Sequence, residues 1–262
     1  MMENLIESEK ETYTDKFNII PELFDLSYTP IVQSGGEYDL KPTAMSNNKK
    51  LRPDCILLSI GGKYFEYNTN VVRTLFINAT KDEEQVYKIC FEAHNRLIGM
   101  IKPGAVLKEL FESTKAFITS KRANLAAHLP SNFGFGIGLE FRESILLINP
   151  KNERTVKANM VFNVQVSCKD MTAPNGKRYA VKLVDTVLVK PDGCDVLTGD
   201  IDKAYNGIGY NIDDIDDDLP PAPKIDKTAE LREHMMNRGD KPLTRASRRG
   251  AQKKFEEETF MK

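Results

Sequence analysis

The stretch NFGFGIGLEFRE, residues 132–143, decides how the rest of the chain is read. Gly134, Gly136 and Gly138 stand at alternate positions, where backbone must approach another group closely. The residues set among and after them are Phe135, Ile137 and Phe141, which fill space instead of admitting a ligand. A loop shaped for close approach and then packed with aromatic rings asks what the rings replace.

On both sides of this loop the pattern has period two, and between the strands it has period three to four. CILLSI (55–60) predicts a strand, Tyr64 to Tyr67 a short second one, and Val71 to Ile77 a third, rich in β-branched and aromatic residues. From Asp82 the period changes: Val86, Ile89, Cys90, Ala93, Leu97, Met100 and Ile101 share one helix face, which ends at Lys102-Pro103-Gly104. A second helix is expected from about Ala105 to before Pro130, making a helical hairpin. Strands are expected again at Ser144 to Ile148, Met160 to Ser167 and Tyr179 to Val189, the last two joined by APNG, whose Asn175-Gly176 is the strongest hairpin signal in the chain. Strands, a helix pair, then strands predict an α+β domain over residues 28–198. Residues 1–27 read as a lead-in. Beyond about Gly199, an acidic, proline-rich stretch (NIDDIDDDLPPAPK), a short helical segment from Lys227 to Met236 and a basic tail read as a largely disordered linker over 199–262.

The 262 residues carry 37 Lys+Arg against 38 Asp+Glu, so net charge favours neither nucleic acid nor membrane as partner. Cys55, Cys90, Cys168 and Cys194 form no CxxC pair, which argues against a zinc site or a disulfide framework and for a reducing compartment. No apolar run is long enough to span a bilayer, and MMENLIESEKETYTDK is too polar for a signal peptide. His94 reads as a surface or boundary histidine, a helix C-terminal role for His128 is the lesser reading and would be structural, and none of His94, His128 and His234 is expected to be catalytic.

Taken in order, SIGGKYFEY, NTNVVRT, GFG, NMVFNVQ and KLVDTVLV resemble the pita-bread family of methionine aminopeptidase, aminopeptidase P, prolidase and creatinase. The resemblance implies a pita-bread fold, with a curved, mostly antiparallel sheet and flanking helices. In its metal-dependent members two aspartates, one histidine and two glutamates hold a pair of divalent ions. Carried over residue by residue, those positions are Ser59, Asn70, Phe135, Gln165 and Val184 in this chain. Arg142 stands where a second family histidine is placed, whereas Arg73, Thr74 and Asp185 are kept. Serine, asparagine, phenylalanine, glutamine and valine offer no anionic oxygen and no imidazole to hard cations. No metal and no other cofactor is therefore expected, and Phe135 takes up volume that the resemblance assigns to metal ligation.

The combination of Phe135 in the loop with LEFRE after it, then SILLI, DTVLV and VLT, resembles the peptidase-like N-terminal domains of the large subunits of FACT-type histone-chaperone complexes. That resemblance implies a non-catalytic, nuclear, chromatin-bound module whose partners are histones or the nucleosome, with an HMG-box-type small subunit and other chromatin proteins reached through the longer chain. It also implies a smaller lobe ahead of the domain, for which the residues before Pro30 are too few. Candidate binding-cleft residues are Tyr67, Arg73, Arg142 and Glu143, and the candidate histone contact is the run Asp213, Asp214, Asp216, Asp217, Asp218. The basic segment 241–254 offers phosphate contact that is weak at most, having no interleaved aromatic. The competing expectations are an active metallo-aminopeptidase with unusual ligands, a metal-free hydrolase of the creatinase kind, and a docking platform for neighbouring domains.

Overall fold

The computed structural model describes residues 20–46 and 50–212. The acidic run, the Lys227–Met236 segment and the basic tail lie outside the described residues. Eight strands form one curled sheet. Its main path runs β2 (Ile31–Gln33), β3 (Cys55–Ile60), β6 (Val71–Ile77), β9 (Arg178–Lys190), β8 (Val161–Thr172), β7 (Gly134–Gly136), all antiparallel. β10 (Gly193–Val196) adds antiparallel to β9, and β11 (Gly209–Tyr210) adds parallel to β6. A second sheet of three short strands pairs β1 (Phe24–Leu26) with β4 (Gly62–Tyr64), and β4 with β5 (Tyr67–Asn68).

Two helices, α1 (Lys81–Met100) and α2 (Leu107–Lys121), cover one face of the large sheet. α1 starts at a capping box: the Thr80 hydroxyl accepts from Glu83 N–H, and the Glu83 carboxylate accepts from Thr80 N–H. Its apolar face, Val86, Ile89, Cys90, Ala93, Leu97 and Ile98, packs on alternate residues of the sheet, among them Val164, Val166, Cys168, Val181 and Leu183. The four cysteines are free thiols, and folding brings the Sγ atoms of Cys90 and Cys168 to 3.5 Å. The β8–β9 hairpin turns at Asn175-Gly176 as expected, with Gly176 in the left-handed region.

Four elements differ from the sequence reading. Tyr64–Tyr67 is not a strand but the tip of a two-residue hairpin, turning on Phe65 and Glu66. Ser144–Ile148 forms a single 3-10 turn at Ser144–Leu146, because the Asn152 side chain captures the carbonyls of Ile145 and Leu147 and bends the segment. The second helix stops at Lys121 and continues as a 3-10 stretch, Ala123–His128. Both expected domain borders, at 28 and 198, fall inside folded structure: β1 precedes the first, and the turn α3 (Tyr205–Ile208) and β11 follow the second. Asn78 closes this last segment by exchanging two hydrogen bonds with Ile212.

Candidate functional site

Successive side chains of a strand point to opposite faces, so register decides which residues meet. Ser59 of β3 lies opposite Val72 of β6, Val72 opposite Val184 of β9, and Val184 opposite Gln165 of β8: one row across four strands. In the next row Asn163 of β8 lies between Thr186 of β9 and Phe135 of β7, and the Thr186 hydroxyl accepts from Asn70 N–H and donates to its carbonyl. Ser59, Asn70, Phe135, Gln165 and Val184, five residues scattered over 126 positions of sequence, are thereby brought to one face, opposite the helices.

The groups there form a neutral chain of hydrogen bonds. Tyr28 donates its one proton to Asn70 Oδ1 at 2.5 Å, so the Ser59 hydroxyl, 2.6 Å away, donates to Tyr28 Oη. Asn70 Nδ2 passes the chain on to Asn163 Oδ1 at 2.8 Å. Burial pushes the Tyr28 phenol up to about 12, against the pull of Ser59, which keeps it protonated. Gln165 is turned aside, its Nε2 donating to the side chain and carbonyl of Asn132. Val184 is fully buried against Leu57 and Val72 beneath Tyr38 and Leu40, whose segment is tied down by buried Lys182 donating to the Leu40 carbonyl. Burial lowers the Lys182 ammonium to about 8, with Asp39 opposing.

The glycine loop answers the question its sequence raised. At Gly134, φ is 146° and a Cβ would come 2.4 Å from the Asn163 carbonyl oxygen; at Gly136 it would meet the Leu146 side chain at 2.7 Å. The glycines let β7 lie between β8 and the 143–148 segment, bonded to both, while the Phe135 side chain is buried on the face it shares with Asn163. Its ring packs at 6.1 Å on Phe141, which meets Tyr28 edge-on at 5.4 Å, and the Arg142 guanidinium stands over it at 5.4 Å. A metal pair does not fit this donor set: neutral hydroxyl and carboxamide groups, a phenyl ring and an isopropyl group hold no charge to neutralise a divalent cation, and the buried Asn163 Nδ2, which has no hydrogen-bond partner, is a donor and not a ligand. Among the described residues no group of three His, Cys, Asp or Glu could hold a metal ion.

The other candidates divide. Tyr67 is exposed at the hairpin tip and Arg142 is exposed beside the site, while Glu143, half-buried, bridges to Gly136. Arg73 is not a cleft residue. It is buried on the helix side, donating to Asp185 Oδ1 at 2.7 Å and to the carbonyls of Val72, Val184, Ile201 and Asp202. Asp185, next to Val184 in β9, points away from the face that carries Ser59, Gln165 and Val184, because successive side chains of a strand alternate. It accepts from Arg73, Thr198 and Lys203, so this one carboxylate fastens residues 198–204 to the sheet. His94 is likewise not a surface residue. It is fully buried on α1, with Nε2 3.3 Å from the Val164 carbonyl and Nδ1, which has no hydrogen-bond partner, 3.8 Å from Asp185. Its charge-rich neighbours in sequence lie on the other face of α1. Tyr28 and Asn163 were not singled out from the sequence, since their partners are remote in it. His128 ends the 3-10 stretch, and its Nδ1 is 2.8 Å from the Lys169 carbonyl.

The helix-side cluster predicts acid sensitivity. Burial lowers the His94 pKa to about 4, with Asp185 opposing, whereas the unfolded chain titrates near 6.5. Between those values the unfolded state holds one proton more, so this contribution to stability is lost as pH falls from about 6.5 toward 4, at up to ~1.4 kcal/mol per pH unit. Burial disfavours ionised Asp185, but His94, Arg73 and Lys203 outweigh it and lower its pKa, a contribution present above about 3.9 and lost below. Urea midpoints measured from pH 7 to 5 are expected to fall, and to fall less in His94→Gln. An identical slope in the variant would contradict the assignment.

The profile of metallopeptidase family M24 matches residues 2–191. Relatives include the FACT complex subunit SPT16 of Zea mays, 37% identical over 80% of this chain and 21% of that protein, and that of Dictyostelium discoideum, 36% identical over 75% and 19%. The chain thus spans about a fifth of the length of these relatives. Among solved structures, the N-terminal domain of SPT16 from chickpea superposes with a TM-score of 0.73 at 32% identity, covering 79% of this chain and 51% of that one. The prolidase of Pyrococcus furiosus superposes with a TM-score of 0.58 at 27% identity, covering 66% and 49%.

Proposed function

The chain belongs to metallopeptidase family M24, and we propose that it is a non-catalytic member, a histone- and peptide-binding module of a FACT-type histone chaperone that acts on nucleosomes in the nucleus. One observation carries this reading: the five residues that the resemblance places at ligand positions share one face, where Ser59 and Asn70 join a neutral hydrogen-bonded chain with Tyr28 and Asn163, Gln165 is turned to Asn132, and Phe135 and Val184 are buried and apolar. A scaffold kept in register without its reactive centre retains surfaces, not chemistry. The similarity to FACT subunits supplies the partner class. Within the proposal, the longer chain reaches an HMG-box-type small subunit, and the acidic run at 213–218 competes with DNA phosphates for basic histone surface.

The test is a titration of the purified chain with core histones at low and high salt. Affinity is expected to weaken as salt rises, because the contacts are partly screened charge, and to weaken further when Asp213, Asp214, Asp216, Asp217 and Asp218 are replaced by asparagine. No detectable histone binding at low salt would reject the reading. Equal affinity with and without the five aspartates would remove their part in it.

A further inference from the structure

The β4–β5 hairpin turns on two residues in the left-handed region, Phe65 at φ 47° and Glu66 at φ 65°. A two-residue turn of this shape favours asparagine and glycine, and a bulky aromatic side chain there is a conformational outlier. Phe65 is 54% exposed there, its ring edge-on to Tyr64 at 4.8 Å, and Tyr67, across the turn, is 60% exposed. Asn68 then ties the hairpin to the glycine loop: its N–H and Nδ2 both donate to the Gly138 carbonyl, and Nδ2 also reaches that of Leu139. Leu139, 65% exposed, is thereby held next to the hairpin. Phe65, Tyr67 and Leu139 thus stand exposed on two loops that Asn68 joins along one rim.

The charge around them has a sign. The carboxylates of Glu66 and Asp25, both mostly exposed, share the single ammonium of Lys63, at 3.3 and 3.8 Å. Glu140, exposed on the loop, has no ion pair among the described residues, and Arg142 is turned over the Phe135 ring. Carboxylates therefore outnumber free cations on an apolar rim.

The geometry points to a docking site on this rim for a protein segment that is basic and apolar at once, with a leucine, methionine or aromatic anchor seated among Phe65, Tyr67 and Leu139 and flanking lysines or arginines facing Glu66 and Glu140. This deepens the binding reading above and rests on it for the natural partner. Anchors of this kind carry most of the affinity, and the acidic rim sets which partner is accepted.

The test exploits the strained turn. Phe65→Asn with Glu66→Gly gives the turn the residues its backbone favours, so the thermal midpoint is expected to stay level or rise while the recognition tip is removed. The full chain is titrated with a labelled peptide of alternating lysine and leucine and with a lysine–serine peptide of equal charge. The lysine–leucine peptide is expected to bind the parent more tightly than the lysine–serine one, and to lose at least about tenfold in the double variant. Equal binding of the two peptides by the parent, or a variant within about threefold of the parent, would overturn the site. Core histones run in parallel separate the two claims. Histones bound alike by parent and variant would keep the module reading and remove the hairpin from it. Histones bound by neither, with peptide binding lost only in the variant, would keep the hairpin and remove the histone reading.

Discussion

Asp185→Ala is expected to lower the free energy of unfolding by roughly 3–5 kcal/mol, the usual cost of removing one partner from a buried ion pair. The carboxylate is fully buried, and Arg73, itself buried, and Lys203 each donate to it at 2.7 Å. Without it, buried Arg73 keeps only backbone carbonyls to receive its charge, Lys203 loses the carboxylate it donates to, and Thr198 loses its acceptor. The loss also frees residues 198–204, so hydrogen exchange is expected to quicken there and in β11. A urea midpoint within about 1 kcal/mol of the parent, below the range for a broken buried pair, would show that solvent reaches the cluster.

Val184→Glu is expected to cost at least ~1–3 kcal/mol, because a carboxyl group would enter an apolar pocket with no cation to receive it. Leu57 and Val72 flank the position, and Tyr38 and Leu40 close it from above. Lys182, two residues along the same face, is committed to the Leu40 carbonyl and held there by the segment it anchors. Restoring a ligand type at this one position does not restore a metal site, since Ser59, Asn70, Phe135 and Gln165 remain as they are. A variant as stable as the parent in chemical denaturation would show that the face is open to water.

The framework of the site was legible in the sequence because it is carried by local signals. Asn175-Gly176 fixes the β8–β9 turn, but a bulge between Cys168 and Met171 then shifts the pairing by one residue, and only that shift, which no local signal marks, sets Gln165 opposite Val184. The apolar spacing from Val86 to Ile101 gave α1 nearly to its ends. What was not legible depends on contacts between remote residues. Tyr28 reaches Ser59 and Asn70 from the very edge of the expected domain, and nothing local marks its hydroxyl as the centre of the site. His94 sits among charged neighbours, but the helix turns those to solvent and the imidazole inward. Residues 199–212 are polar and glycine-rich, yet they fold because buried Arg73 and Asp185 receive them, with Tyr87 donating to the Lys203 carbonyl. Arg73, expected in a binding cleft, instead joins Asp185 in anchoring that segment. The run SILLI has strand composition, and two backbone hydrogen bonds between Ile148 and the 133–134 backbone do pair its end with β7, but Asn152 bends the rest into a turn.

The central claim is that the peptidase scaffold has exchanged its metal centre for a neutral hydrogen-bonded chain. Elemental analysis of the purified chain, after equilibration with excess manganese, cobalt or zinc and removal of free metal, tests it most directly. The predicted result is metal far below one ion per chain, with no chelator-sensitive cleavage of Xaa-Pro or N-terminal Met peptides. Two ions retained per chain, with turnover that a chelator abolishes, would contradict it.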